Sequence, residues 1–397
     1  LSDDTGHRPA RVLDYMIAWD VAVIGGGIAG SAAAALLARH GLRVILFEKG
    51  KFPRQKVCGE FLSPDGADVL QRVGVWPQIH LHNPPTIHSL TLTVGGAEAR
   101  RKLPAPGWGV SRWLLDDALW QHAQRLGVTA GERSTVRHIE GDLQRGFSLT
   151  VRRANGALTS VRSRMILCAT GRQGQPWAQP RTPRVGVTRR FVGIKAHFRG
   201  VPLDGHVELH TIGHGYCGLA EVTGDVSNLC CWVETRAFRR AGGTPDRFLA
   251  SALRQSMRLR SRLRLAEQLG SAWVTTSYAD GRTVTPVEAG IWNLGDGAAM
   301  VAPLTGDGMG MALRTAELAA ALMRMSFQQE LPWEQASREY TRRWRREFLP
   351  RLRWGRYLEG VLLRPRAAAL ACLALRWMPP LTDMIYHRTR QIIAPTH

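Results

Sequence analysis

Trp19-Asp20-Val21-Ala22-Val23-Ile24-Gly25-Gly26-Gly27-Ile28-Ala29-Gly30-Ser31-Ala32-Ala33-Ala34 is the stretch whose reading decides the fold. Its apolar opening run has the length and composition of a buried parallel strand. A turn with glycine at Gly25, Gly27 and Gly30 follows, and a helix of small residues then runs to about Arg39. In such a turn the first glycine makes the tight bend, the second lets a pyrophosphate reach the backbone, and the third lets helix and strand pack closely. The helix start, at Ile28 and Ala29, carries free N–H groups and the positive end of the helix dipole.

Working outward, the next apolar run, Leu42–Phe47, ends in Glu48, whose carboxylate is placed to accept both hydroxyls of an adenosine ribose. A glycine turn alone predicts only a tight connection. Strand, turn, helix, strand and acid together predict a dinucleotide site on a Rossmann-like α/β lobe. Beyond Glu48, the cations Lys49, Lys51, Arg54 and Lys56 crowd a loop punctuated by glycine and proline, which suits an anionic neighbour. A short helix is expected over Val69–Val75, and Ser89–Leu103 alternates like two strands turning at Gly95-Gly96. Ser111 reads as the N-cap of a helix reaching Leu126, and Arg112, set against the helix dipole, is expected to face an anion. Val128–Ile139, which contains Val136, and Phe147–Val161 read as strands with a hairpin at Asn155-Gly156; Arg164–Cys168 reads as a buried strand entering the turn Ala169–Arg172.

Residues 186–285 change texture to alternating strands at Phe191–Phe198, Val207–Ile212, Tyr216–Val222 and Asn228–Glu234, followed by a helix expected from Pro245 to Leu269. A third motif then appears. Ile291–Leu294 is a strand, Gly295-Asp296 a turn, and Pro303-Leu304-Thr305-Gly306-Asp307-Gly308-Met309-Gly310 a glycine-rich entry into a helix ending near Met325. Asp296 can accept from sugar-like hydroxyls, and the helix start at 306–310 offers N–H groups to an electron-rich ring carbonyl. Residues 331–397 are expected to be helical and carry 13 arginines against five acids.

The 397 residues suffice for a sizeable core. Six cysteines (Cys58, Cys168, Cys217, Cys230, Cys231, Cys372) show no CxxC pair, which points to free thiols in a reducing cytoplasm and to no metal site. The polar stretch Leu1–Ala18 lacks the apolar core of a signal peptide, and no apolar run is long enough to span a bilayer. The formal net charge of +21 comes almost wholly from arginine, spread along the chain. It favours anionic cofactors, acidic substrates or an anionic membrane surface, while no nucleic-acid reader motif is present.

The three motifs, in this order, resemble those of glutathione-reductase-type FAD proteins, over roughly residues 18–330. The likeness is narrowest to the branch of p-hydroxybenzoate-hydroxylase-like monooxygenases and geranylgeranyl reductases. The geranylgeranyl-reductase-like loop Lys-x-Pro-Arg-x-Lys-x-Cys-Gly is similar to Phe52–Gly59, and the Arg-x-x-Leu-Asp-x-x-Leu helix to Arg112, Leu115, Asp116 and Leu119. That resemblance implies a discontinuous FAD domain at 18–80, 105–185 and 286–330, an inserted mixed or antiparallel sheet domain for substrate at 81–104 and 186–285, and a basic helical region at 331–397. It implies FAD on Gly25, Gly27, Ile28, Ala29, Gly30, Glu48 and Lys49, with Arg112, Val136, Gly295 and Asp296 beside its middle. Pro303, Gly306, Gly308, Met309 and Gly310 would face the ring.

Cys58 and Tyr216 are the candidate catalytic residues, with Trp232, His197, His210 and Lys195 as candidate pocket residues. The isoprenoid reductases' Tyr-x-Trp-x-Phe-Pro element reads here as Tyr216-Cys217-Gly218-Leu219-Ala220, and the halogenases' Trp-x-Trp-x-Ile-Pro is absent. The leading expectation is therefore an NAD(P)H-dependent monooxygenase of an apolar or aromatic small molecule, with NAD(P)H visiting transiently. The alternatives are reduction of a C=C bond in a prenyl or polyketide chain and a peripheral-membrane dehydrogenase. The basic C-terminal helices offer an in-plane membrane contact.

Overall fold

The computed structural model describes residues 18–173, 190–279 and 285–390. The N-terminal stretch read above for a leader, residues 186–189 and 280–284 of the expected sheet domain, and 391–397 lie outside these residues.

Two sheets carry the molecule. In the first, the strand Trp19–Ile24 lies between Val44–Phe47 and Leu158–Cys168, all parallel, with Thr129–Gly131 beyond one neighbour and Ile291–Asn293 beyond the other. Val21, Ala22, Val23 and Ile24 are all buried, as an apolar run covered on both faces should be. One covering layer is the helix Ile28–Arg39, whose Ala32, Ala33, Ala34 and Ala35 are fully buried against the helices Arg112–Arg125 and Gly308–Phe327. Small side chains let these axes approach closely. The other face is covered by the antiparallel hairpin Thr135–Asp142 and Gly146–Arg152.

The second sheet has nine strands and is antiparallel except where His206–Ile212 runs parallel to Thr86–Val94. It takes in Phe61–Leu62 and continues along Ala97–Gly109, so its edge enters stretches that the sequence reading gave to the nucleotide domain. Two further differences have local causes. The helix expected over Val69–Val75 spans Pro64–Val73, because Pro64 opens the helix and Gly74 at φ +95 closes it. The helix expected from Pro245 to Leu269 breaks at Ser256, whose hydroxyl accepts from the Leu259 N–H at 3.2 Å and caps a second helix, Met257–Leu263; Glu267–Gln268 is then a short strand paired with Phe198–Arg199. The C-terminal region forms three helices, Trp333–Leu362, Pro365–Trp377 and Pro379–Thr389, which pack on the 308–327 helix and on the Thr86–Gly109 hairpin.

Candidate functional site

The glycine turn is fixed by its neighbours. A Cβ on Gly25, whose φ is +106, would lie 2.4 Å from the Ala169 carbonyl oxygen, and one on Gly30 would lie 1.8 Å from the Gly25 carbonyl. Both positions are therefore closed by backbone. Gly27 differs: the nearest atom to its hypothetical Cβ is Lys56 Nζ, at 3.1 Å. Gly26, which the sequence reading passed over, packs under Trp120 and donates its N–H to Glu48 Oε2 at 2.9 Å.

Glu48 is buried at the end of its strand, where Oε2 also meets Arg54 Nη2 at 2.8 Å and Oε1 accepts from the Gly50 N–H at 2.8 Å. The acid thus ties the glycine turn to the basic loop. Arg54 is consumed in that tie. Lys56 makes no hydrogen bond or ion pair among the described residues, and burial lowers its pKa to about 8 against the pull of Asp116 and Glu48. A half-buried, unpaired ammonium over an open glycine turn and a helix N-terminus is a donor set for phosphate.

The loop then crosses toward the second sheet. Glu60, buried and at φ +58, accepts from the Arg112 N–H at 2.6 Å, from Lys195 Nζ at 2.5 Å and from His197 Nε2 at 2.7 Å. This closes Lys195 and His197 onto the protein. The cations and hydrogen bonds around Glu60 hold its carboxyl below the usual range despite burial. His210, too, faces a carboxylate, lying 3.2 Å from Glu208 Oε2 in the sheet interior. Glu60 was not legible in the sequence, because its partners come from two distant stretches, the start of the 112–125 helix and the strand Arg190–Arg199.

Arg112, expected to face an anion, pairs its guanidinium bidentately with Asp116 one turn on, at 2.8 and 2.7 Å, and also bonds Cys58. Asp116 and Cys58 raise its pKa in spite of burial. The Cys58 thiol further accepts from the Glu60 N–H at 3.4 Å. Asp296 stands 3.6 Å from Arg172 Nε, and Arg172 Nη2 donates to the Val57 carbonyl at 2.7 Å, joining the loop to the third motif. At the far end, Gly306 at φ +65 bends the chain into the 308–327 helix. Asp307 is fully buried there; Oδ2 is 3.0 Å from Arg351 Nη1 of the long C-terminal helix, and Oδ1 has no partner among the described residues. Burial, partly offset by Arg351, pushes the Asp307 pKa up to about 6.

The glycine turn, Glu48, Lys56, Cys58, Glu60, Arg112 and Asp296 open onto one cavity of about 630 Å³, whereas Lys195, His197 and His210, expected as pocket residues, are held in their ion pairs with Glu60 and Glu208 and do not line it. Gly25, Gly27, Ile28, Ala29, Glu48 and Lys49 line its nucleotide end. Cys58, Arg112, Val136, Gly295 and Asp296 line its middle, and Pro303, Gly306, Gly308 and Met309 its far end. Gly30 and Gly310 do not reach it. Gly30 serves helix–turn packing, and a Cβ on Gly310 would meet Ser63 Oγ at 2.7 Å. Tyr216 and Trp232, direct cross-strand partners, form part of the second sheet's wall, and both are buried. Among the described residues, Trp232 Nε1 has no hydrogen-bond partner, and the Tyr216 hydroxyl, near the Leu304 backbone, makes no bond of ordinary geometry. Burial and Glu359 push the Tyr216 pKa up, so the phenol stays protonated. Past them the cavity runs on between Leu92, Leu103 and Leu209 of the sheet and Leu362, Leu375 and Ile385 of the C-terminal helices.

The residues fit FAD. The open Gly27 cradle beneath the unpaired Lys56 suits its pyrophosphate, and Glu48 Oε1, which among the described residues accepts only from the Gly50 N–H, keeps one lone pair for a ribose hydroxyl. The glycine-rich helix start suits the pyrimidine end of its ring.

Residues 18–329 match the family described as "FAD binding domain". Menaquinone reductase of Mycobacterium tuberculosis is 30% identical over 381 residues, covering 88% of this chain and 83% of that protein. A solved flavin-dependent brominase superposes with a TM-score of 0.77 at 20% identity, over 94% of this chain and 93% of its own. A geranylgeranyl bacteriochlorophyll reductase-like protein of Thermoplasma acidophilum does so with 0.71 at 18%, over 95% and 94%. The two structures share the fold.

Proposed function

The chain belongs to the FAD binding domain family of flavin-dependent enzymes, and from that premise we propose that it reduces a carbon–carbon double bond in the long apolar chain of a prenyl-quinone-class lipid. The observation that carries this reading is the apolar extension of the cavity beyond Tyr216 and Trp232, walled by leucines of the sheet and of the C-terminal helices. A ring-sized substrate needs no such extension; a flexible isoprenoid does. The 30% likeness to a menaquinone reductase supports the same class of substrate.

FAD held by these residues would supply hydride-transfer chemistry, with NAD(P)H as the two-electron donor, and the proton for the second alkene carbon would come from the chain or from solvent. The chain's own residues do the rest. Lys56, Glu48 and the glycine turn hold the nucleotide, and the leucine walls exclude water and align the alkene. Tyr216, kept protonated, and Cys58, bonded to Arg112 and the Glu60 N–H, are two groups on the cavity wall from which the proton could come. No second glycine turn follows a strand, so the nicotinamide visits without a lobe of its own.

The competing reading is the oxygenase expected from the sequence, favoured by the lack of Trp, Phe and Pro after Tyr216. Mass analysis of the product separates the two. Reduction yields a lipid heavier by two hydrogens, made without O2. A product heavier by one oxygen, formed only in air, would establish the oxygenase in its place.

A further inference from the structure

Among the described residues, exposed large apolar side chains concentrate on the last two helices. Leu370, Leu373 and Trp377 of the helix Pro365–Trp377 are 69%, 52% and 72% exposed, and Met378 and Met384 continue the patch at 58% and 40%. Positions 370, 373 and 377 recur at i, i+3 and i+7, so they form one stripe. The opposite side of the same helix is already occupied: Ala368 and Cys372 pack with Leu92, Val94 and Ala99 of the second sheet. The helix is thus apolar on two faces, with a partner for only one.

The surround of the stripe is cationic. Between Arg364 and Arg390 the chain has five arginines and a single acid, Asp383. Arg364, Arg366, Arg376 and Arg388 are exposed, the Arg376 guanidinium lies 5.8 Å from the Trp377 ring, and the exposed Arg100 and Lys102 extend the same sign on the neighbouring strand. Arg101 of that strand bonds the Arg376 carbonyl. Two copies meeting through this face would set arginines against arginines with almost no acid to offset them. A surface of negative headgroups over hydrocarbon complements both the charge and the apolar stripe.

We propose that this face docks in the plane of an anionic lipid bilayer, with Leu370, Leu373 and Trp377 below the headgroups and the flanking arginines on the phosphates. Ala371, Leu375, Leu381 and Ile385, which line the cavity, lie on the same two helices, so docking brings the apolar end of the cavity to the source of a lipid substrate. The docking itself rests on the exposed face and not on the reductase reading.

Sedimentation of the purified full chain with vesicles tests it. The expected result is binding to phosphatidylcholine vesicles containing phosphatidylglycerol, weaker by about tenfold or more on pure phosphatidylcholine and weakened by salt. L370E/L373E/W377E should lose that binding by a similar factor while retaining bound FAD. Should that variant fail to fold, R364E/R366E/R376E reads the charge contribution alone and should erase the preference for phosphatidylglycerol. A wild-type chain that stays in the supernatant with every vesicle overturns the proposal. So do vesicle binding unchanged in both variants, and a wild-type dimer that L370E/L373E/W377E converts to monomers.

Discussion

At the residue scale, the three glycines of the turn separate into two kinds. Gly30→Ala drives a methyl into the Gly25 carbonyl and should cost about 2–3 kcal/mol or more of stability, read as a lowered Tm of the cofactor-free protein. Gly27, in extended backbone at φ −74 with only the tip of Lys56 nearby, should accept alanine within about 1 kcal/mol yet bind FAD about tenfold more weakly or worse, measured by flavin fluorescence titration. Equal losses of stability in both variants would remove the distinction.

Lys56 makes a pH prediction. Burial sets its pKa at about 8 against an ordinary 10.5, so its ammonium is fully present only below about 8. A phosphate anion favours that charged form, so FAD affinity should fall as pH rises through about 8, and K56M should flatten the fall. The linkage for folding has the opposite sign. The unfolded chain holds this proton up to 10.5, so the Lys56 contribution to cofactor-free stability improves over the same rise. Gly25, Gly27, Gly30 and Glu48 were legible because one local motif encodes them. The role of Lys56 was not, since four cations share its loop and only the fold shows that Glu48 takes Arg54 and leaves Lys56 unpaired.

At the scale of elements, the buried pair Asp307–Arg351 joins the start of the 308–327 helix to the long C-terminal helix. Arg351→Ala leaves a carboxylate buried without its cation and should cost about 3–5 kcal/mol, whereas D307N/R351M should recover most of that loss. The folded Asp307 pKa of about 6 lies above its ordinary 3.8, so the folded state takes up this proton first. The penalty of Arg351→Ala should therefore be smaller at pH 5 than at pH 8, as urea unfolding at the two values would read. The strands were largely legible from alternation and from buried runs bounded by glycine. The break at Ser256 was not, because apolar spacing continues on both sides and a capping serine looks like any other until its N–H partner is in place. The pairing of Asp307 with Arg351, 44 positions apart, was likewise hidden.

At the scale of the whole molecule, function follows from one cavity shared by three layers. The parallel sheet holds the nucleotide end, the second sheet supplies Tyr216 and Trp232, and the C-terminal helices close the apolar end. The first of these was readable in the order of the three motifs. The apolar extension was not, because Leu92, Leu209, Leu362 and Leu375 are ordinary core leucines until the fold sets them across an open space. That space is the ground on which we propose the reductase ahead of the oxygenase expected from the sequence. The decisive measurement is a stopped-flow single turnover in which the protein, with its FAD reduced under strict anaerobiosis, is mixed with a prenyl quinone. The flavin absorbance should return in full without oxygen, with one double bond saturated per flavin reoxidised. Flavin that stays reduced until O2 is admitted, and then yields an oxygenated lipid, would contradict the account.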